Sequence, residues 1–230
     1  MATVLITGAN RGIGLELAKR YVESGDRVLG CCRSASAATE LQSLSQQGDL
    51  QVLEVQVSAA ESVSTLAAKL AGQTIDILIN NAGTSGPDRD EQTVYRMDFE
   101  GWANTFAVNT LAPVRIMQAL LDNLKASDSG KLVTITSQLG ALSLDLPFAY
   151  AYSTSKAAIN KFMKLAAIDL RNDGISVALI HPGWVQTDMG GSKADLTPRD
   201  SARGIVNVIA NLSLDNTGGF WKWNGEAHGW

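Results

Sequence analysis

Cysteine, histidine and uninterrupted apolar sequence are all scarce in this 230-residue chain. Its two cysteines, Cys31 and Cys32, are adjacent, and its two histidines are His181 and His228. Adjacent thiols give no disulfide framework and no metal-ligand spacing, so no metal site is expected. No run of 18 apolar residues occurs, and Met1-Ala2-Thr3-Val4-Leu5-Ile6 lacks a basic region followed by a long apolar stretch. Neither a membrane span nor a secretory leader is expected, and a cytoplasmic location is. An excess of positive charge is missing too, the formal net charge being -4 at pH 7. That leaves no electrostatic footprint for nucleic acid or for an anionic membrane surface.

With 45% hydrophobic and 18% charged residues, the chain has the composition of a globular protein, and its length suits one α/β domain over 1–230 better than two. Apolar, β-branched runs at 3–7, 26–33, 50–57, 75–79, 131–136 and 175–180 read as strands. Amphipathic stretches at 37–47, 61–71, 99–126, 150–170 and 198–211 read as helices. Gly218-Gly219-Phe220-Trp221-Lys222-Trp223-Asn224-Gly225 adds a seventh strand with an Asn-Gly turn. Alternating strands and helices predict a doubly wound, Rossmann-type parallel sheet of seven strands with helices on both faces. The polar, glycine-bearing 188–198 reads as a mobile flap over the sheet edge.

Between the first strand and a helix lies Gly8-Ala9-Asn10-Arg11-Gly12-Ile13-Gly14. A glycine turn feeding a helix N-terminus offers backbone N–H groups and the positive dipole end to a pyrophosphate. The second strand ends in Cys32-Arg33 where an acidic residue would bind a ribose 2′-hydroxyl. Arg33 and Arg11 instead favour a 2′-phosphate, because the guanidinium fork matches phosphate oxygens. Asn80-Asn81-Ala82-Gly83 ends the fourth strand at a carboxyl edge, where open α/β sheets bind ligands.

Tyr152-Ser153-Thr154-Ser155-Lys156 supplies a phenol and an ammonium on one helix face. Bringing a tyrosine pKa from about 10 to near 7 takes roughly 4 kcal/mol. A cation about 4 Å away at an effective dielectric of about 20 supplies that much, before burial takes some back. Ser137 stands at the carboxyl end of the strand before this helix, and Asn109 lies beside Pro113 in a helical stretch that a proline should bend.

In this order the motifs resemble the short-chain dehydrogenase/reductase family over nearly the whole chain, and most of all its sniffer-type carbonyl reductase and bacterial C-factor branch. The resemblance implies an NADP(H)-dependent oxidoreductase acting on a small carbonyl or alcohol. It implies Ser137, Tyr152, Lys156 and Asn109 as catalytic residues, with Tyr152 the general acid and Lys156 also on the nicotinamide ribose. It implies cofactor contacts from Gly8, Asn10, Arg11, Gly12, Ile13, Gly14, Arg33, Val57, Asn81, Ala82, Gly83, Tyr152, Lys156, Pro182, Gly183, Val185 and Thr187. A homodimer or homotetramer built on the two long helices is also implied.

Gln56 stands where many members carry an aspartate near the adenine, and the interval from Ser137 to Tyr152 is about two residues longer than is common. Ser143 is an alternative hydroxyl. A nucleotide-binding sensor with little turnover is the rival reading, since a fold does not guarantee activity. Leu142, Leu144, Leu146, Phe148 and Trp184 are candidates for an apolar substrate mouth.

Overall fold

Seven short runs of Val, Ile, Leu and Thr become the strands of one sheet in the computed structural model, which describes residues 1–230. They are β1 (Thr3–Thr7), β2 (Arg27–Cys32), β3 (Leu50–Glu54), β4 (Ile77–Asn80), β5 (Lys131–Ile135), β6 (Ser176–His181) and β7 (Gly219–Lys222). Their spatial order is β3-β2-β1-β4-β5-β6-β7, and every neighbouring pair is parallel. The chain winds outward from β1 to β3, then returns to lay β4 on the other side of β1. The reversal opens a crevice at the carboxyl ends of β1 and β4, the place where such sheets take ligands.

Alternate strand residues face opposite sides and build two cores. Leu5, Leu29, Leu78, Leu132 and Leu179 meet Val63, Ile116, Ile159 and Met163 on one face. Val4, Ile6, Val28, Ile79, Val133 and Ile180 meet Leu15, Leu17, Ile205 and Ile209 on the other. Both faces are covered, so the strands read as continuous apolar runs rather than alternating ones.

The helices are α1 (Gly12–Glu23), α2 (Thr39–Leu44), α3 (Ala60–Lys69), α4 (Phe99–Phe106), α5 (Ala112–Ala119), α6 (Leu121–Lys125), α7 (Tyr150–Leu170) and α8 (Pro198–Ala210). The stretch read as one helix over 99–126 is therefore three: a π-helical turn at Ala107–Leu111 joins α4 to α5, and α5 breaks from α6 at Leu120. Pro113 has no N–H for the carbonyl of Asn109, so the ladder cannot run through, and a wider turn absorbs the mismatch. The helix expected over 37–47 shortens to α2, which has no side-chain N-cap. No helix is long and apolar enough to cross a membrane.

Candidate active site

The glycine turn leaves β1 and enters α1 with Arg11 as an extended N-cap whose side chain caps nothing. Leu15 is the first helix residue whose amide reaches back, to the Arg11 carbonyl at 3.3 Å. The amides of Gly12, Ile13 and Gly14 are thus left pointing out of the helix start without protein acceptors, a cradle that an anion fits. Gly12 has φ +56, and a Cβ there would stand 3.3 Å from the Thr187 methyl. At Gly14 a Cβ would overlap the Gly8 carbonyl oxygen and the Asn81 side chain, so this glycine lets the helix close onto the turn.

Thr7 ties β1 to β4. Its Oγ1 accepts from the amides of Asn81 at 3.0 Å and Ala82 at 3.1 Å. Asn81 Nδ2 donates in turn to the carbonyls of Thr7 at 3.0 Å and Gly8 at 3.1 Å. Asn80-Asn81-Ala82-Gly83 is therefore a clasp between the two strands that flank the crevice. Val57 lies against it, with Thr7, Asn80, Ala82 and Val108 around a gap too small to hold a water. The Gln56 amide donates to Ser62 Oγ at 2.9 Å, and its side chain is exposed.

Arg33 is exposed at the end of β2, and Arg11 is exposed in the turn beside it. Arg11 is not free, however: its guanidinium pairs with the carboxylate of Asp188. The segment carrying Asp188 starts from Pro182 and Gly183, just past β6, and closes on itself. The amide of Gln186 donates to the Leu196 carbonyl at 2.8 Å, and that of Leu196 to the Trp184 carbonyl at 3.0 Å. Val185 is buried there, and Thr187 Oγ1 accepts from the amide of Gly190 at 3.1 Å. Neighbouring His181 is buried with an unpartnered Nδ1, and burial first, then His228 and Lys222, push its pKa down to about 4.

Ser137, Tyr152 and Lys156 come together at the carboxyl end of β5. Ser137 is buried, and its Oγ accepts from the amide of Leu139 at 3.2 Å. Thr136 Oγ1 donates to Asn160 Oδ1 at 2.6 Å, and Asn160 Nδ2 donates to the Gly140 carbonyl at 3.2 Å, which fixes α7 against the strand end. Gly140 is needed there because a Cβ would sit 2.7 Å from the Lys156 backbone. Ser143 lies elsewhere: its amide donates to the Trp230 carbonyl at 3.1 Å, which leaves Ser137 as the hydroxyl beside Tyr152.

The expected coupling of lysine to phenol takes a different form. Lys156 Nζ lies over the Tyr152 ring, 5.7 Å from its centroid, and donates to the Ile135 carbonyl at 3.0 Å. Burial raises the Tyr152 pKa above its ordinary value, while the Ser137 hydroxyl pulls it back. Burial lowers the Lys156 ammonium to about 8. Desolvation outweighs attraction because both groups are enclosed and the ammonium is spent on a carbonyl rather than on the phenol oxygen.

Asn109, in the π-helical turn, is 1% exposed and fully engaged. Its Oδ1 accepts from the Thr84 amide at 2.9 Å, and its Nδ2 donates to the Thr84 carbonyl at 2.8 Å and to Ser155 Oγ at 3.1 Å. A Cβ on Gly83 would lie 3.3 Å from Asn109 Oδ1 and 3.8 Å from Lys156 Nζ, so the clasp, the π-turn and α7 converge.

Residues 2–197 match the short chain dehydrogenase family. The chain belongs to that family. Among curated relatives it is similar to the C-signal of Myxococcus xanthus, 40% identical over 157 residues that cover 68% of this chain and 93% of the relative. Among solved structures it is similar to the NADPH-bound carbonyl reductase from chicken fatty liver, with a TM-score of 0.92 and 32% identity over 100% of this chain and 99% of that one. It is equally similar to the carbonyl reductase Sniffer of D. melanogaster, with a TM-score of 0.92 and 30% identity over the whole of both chains. The similarity thus falls on the branch that the motifs pointed to.

Several residues of this family site escaped sequence reasoning. Asn160 lies inside a helix pattern, where its amide carries no signal, and the part of Thr7 in tying β1 to β4 shows only once the strands are side by side. Asp188 and Gln92 sit in loops whose partners are far away in the chain. A cavity of about 390 Å³ is lined by Asp145, Leu146, Pro147, Phe148, Tyr150, Ser153 and Thr154. Neither Ser137 nor Tyr152 borders it, so Phe148 faces the outer side of the α7 start, and Trp184 is not part of its wall.

Proposed function

We propose that the protein is an NADPH-dependent carbonyl reductase that acts on an aldehyde, ketone or quinone, with Tyr152 as general acid. The observation that carries the reading is the Ser137–Tyr152–Lys156 group, set beside a helix start with three unpaired amides. A phenol is protonated at neutral pH, the state that a proton donor needs, and the Ser137 hydroxyl, which pulls its pKa down against burial, favours giving the proton up.

The reduced nicotinamide, when bound, supplies a hydride to the carbonyl carbon. Gly12, Ile13 and Gly14 would hold the pyrophosphate through their amides, and Arg11 and Arg33 the 2′-phosphate. The Ser137 hydroxyl donates a hydrogen bond to the substrate oxygen and orients it. Tyr152 gives its proton to that oxygen as the carbonyl becomes an alcohol, and the phenolate left behind is stabilised by the Lys156 ammonium. Asn109 keeps the π-turn and α7 in register through Thr84 and Ser155.

The NADPH held by the similar carbonyl reductase from chicken fatty liver supports NADP(H) as the cofactor. Two buried free thiols fit a reducing, cytoplasmic compartment. Exposed Phe99 and Leu111 on the α4–α5 stretch and Leu165 and Ile168 on α7 support a homo-oligomer built on those helices.

Tyr152→Phe tests the reading, because it keeps the ring and removes the proton. NADPH binding should survive while turnover of a carbonyl panel, followed by loss of NADPH absorbance, falls by orders of magnitude. Retained turnover would overturn the assignment. Tight NADPH binding by the unaltered protein with no turnover across aldehydes, ketones and quinones would favour the sensor reading instead.

A further inference from the structure

The first turn of α7 carries Tyr152, and its opening amides need acceptors. The residue before it cannot provide one. Ala149 has no side-chain oxygen, and at φ 47 and ψ 60 it is the single non-glycine residue in the left-handed region, a conformation that a Cβ disfavours. The acceptors come instead from a distant loop. The carbonyl of Gln92 takes the Tyr150 amide at 3.4 Å, and Gln92 Oε1 takes the Tyr152 amide at 3.3 Å.

The other end of the same carboxamide is also committed. Gln92 Nε2 donates to the Ser85 carbonyl at 3.2 Å and to the Pro87 carbonyl, and the residue is 3% exposed. Arg89, in the same loop, stacks its guanidinium 4.6 Å from the Phe148 ring centroid, just ahead of the helix. Within the first turn, Ser153 Oγ donates to the Phe148 carbonyl at 2.8 Å, a local tie that leaves the amides of Tyr150 and Tyr152 to Gln92, and Trp102 Nε1 donates to Thr154 Oγ1 at 3.0 Å. Other polar ties of α7 act further along it. Thr110 and Asn109 hold Ser155, and Thr136 and Gly140 hold Asn160. Gln92 therefore governs the turn from which the phenol projects toward Ser137.

We propose that Gln92 is a positioning residue for Tyr152: its buried carboxamide caps α7 from the 85–92 loop and sets where the phenol sits relative to Ser137. The proposal rests on the carbonyl reductase reading. An alanine at this position leaves the Tyr152 amide and two loop carbonyls without partners. A glutamate keeps the acceptor for the Tyr152 amide but sets a carboxylate against the carbonyls of Ser85 and Pro87.

The test compares Gln92→Ala and Gln92→Glu with the unaltered protein, alone and combined with Tyr152→Phe. The Gln92→Ala protein should bind NADPH within about twofold of the original while kcat falls roughly ten- to a hundredfold, more than KM changes. Gln92→Glu should fall in between. In the Tyr152→Phe background, Gln92→Ala should lower the residual turnover by less than about twofold, because its effect runs through the phenol. Hydrogen exchange of the NADPH complex, read on peptides, should speed up in 150–153 and stay unchanged in 158–170. Unchanged exchange in 150–153 overturns the clamp, and this readout needs no turnover. Exchange that rises with kcat preserved, or a kcat loss equally large in the Tyr152→Phe background, overturns the positioning role. If the unaltered protein turns over none of the panel, the reductase reading fails by itself, and with it Gln92's catalytic consequence, while exchange still decides the cap.

Discussion

Lys156 Nζ donates to the carbonyl oxygen of Ile135 at 3.0 Å, inside the protein, and Lys156 is 5% exposed. The folded chain holds this ammonium at about 8, below its ordinary value of 10.5, so folding disfavours its charge. Between pH 8 and 10.5 the unfolded chain binds more protons at this site than the native one, and stability must rise with pH across that window. Below pH 8 the whole penalty applies, roughly 3 kcal/mol for such a shift. Lys156→Met removes the titrating group. The difference in unfolding free energy between the original and the variant should therefore change toward the original as pH goes from 8 to 10.5, read by urea denaturation at each pH. A pH-independent difference would show that the lysine stays charged in the folded state. Turnover of the variant should be lost at every pH.

Gly14 is where α1 closes on the turn, and a methyl there would overlap the Gly8 carbonyl oxygen and Asn81 Nδ2. Backbone cannot yield as a flexible side-chain end does, so Gly14→Ala should cost about 2–3 kcal/mol and weaken nucleotide binding. Gly25 is the control. It has φ +79 and open space around the missing Cβ, so Gly25→Ala should cost only about 1–2 kcal/mol, through backbone strain, with nucleotide binding intact. Denaturation midpoints and NADPH titration separate the two.

The sheet could be read from the sequence because a parallel strand covered on both faces is a continuous apolar run, as Val4-Leu5-Ile6 and Leu132-Val133 are. The glycine turn and the Tyr152–Lys156 pair could be read because spacing along one turn or one helix fixes their neighbours, whereas Ser137, on another element, joined them only through the family resemblance. What could not be read lies between segments. Pro113 announced a bend, but not that the chain would widen over Ala107–Leu111. The spacing put Lys156 near Tyr152, yet whether the ammonium turns to the phenol or to Ile135 depends on the end of β5. Arg11 and Asp188 are 177 residues apart, and no local pattern links them.

Thr7 offers a sharper measure of the clasp between β1 and β4. Its hydroxyl is the acceptor for two amides, those of Asn81 and Ala82. Thr7→Val keeps the shape and leaves both amides without that partner, at a cost of about 2 kcal/mol. Thermal and urea unfolding should both register the loss, and a variant as stable as the original would mean that other acceptors replace the hydroxyl. Nucleotide affinity should fall as well, because the clasp also fixes Gly8 through Asn81 Nδ2.

The ion pair between Arg11 and Asp188 joins the glycine turn to the segment past β6, while Arg33 stands exposed nearby. The side chains are 64% and 76% exposed, so the pair is worth no more than about 1 kcal/mol in stability, and salt screens it. On the proposed reading its consequence lies in binding, since a 2′-phosphate held by Arg11 would compete with Asp188 for the guanidinium. Asp188→Asn removes the competitor and leaves unfolding nearly unchanged. It should tighten NADPH by about two- to fivefold, the ratio that 0.5–1 kcal/mol represents, with little effect on NADH. Arg33→Asp should act in the opposite direction and weaken NADPH far more than NADH, because the carboxylate repels the phosphate and accepts from a ribose hydroxyl. Fluorescence titration with both nucleotides at low and high salt gives four ratios. Asp188→Asn changing NADPH and NADH equally would mean that Arg11 never reaches the phosphate, and equal effects of Arg33→Asp would make Arg33 a surface arginine without a role in choosing the nucleotide.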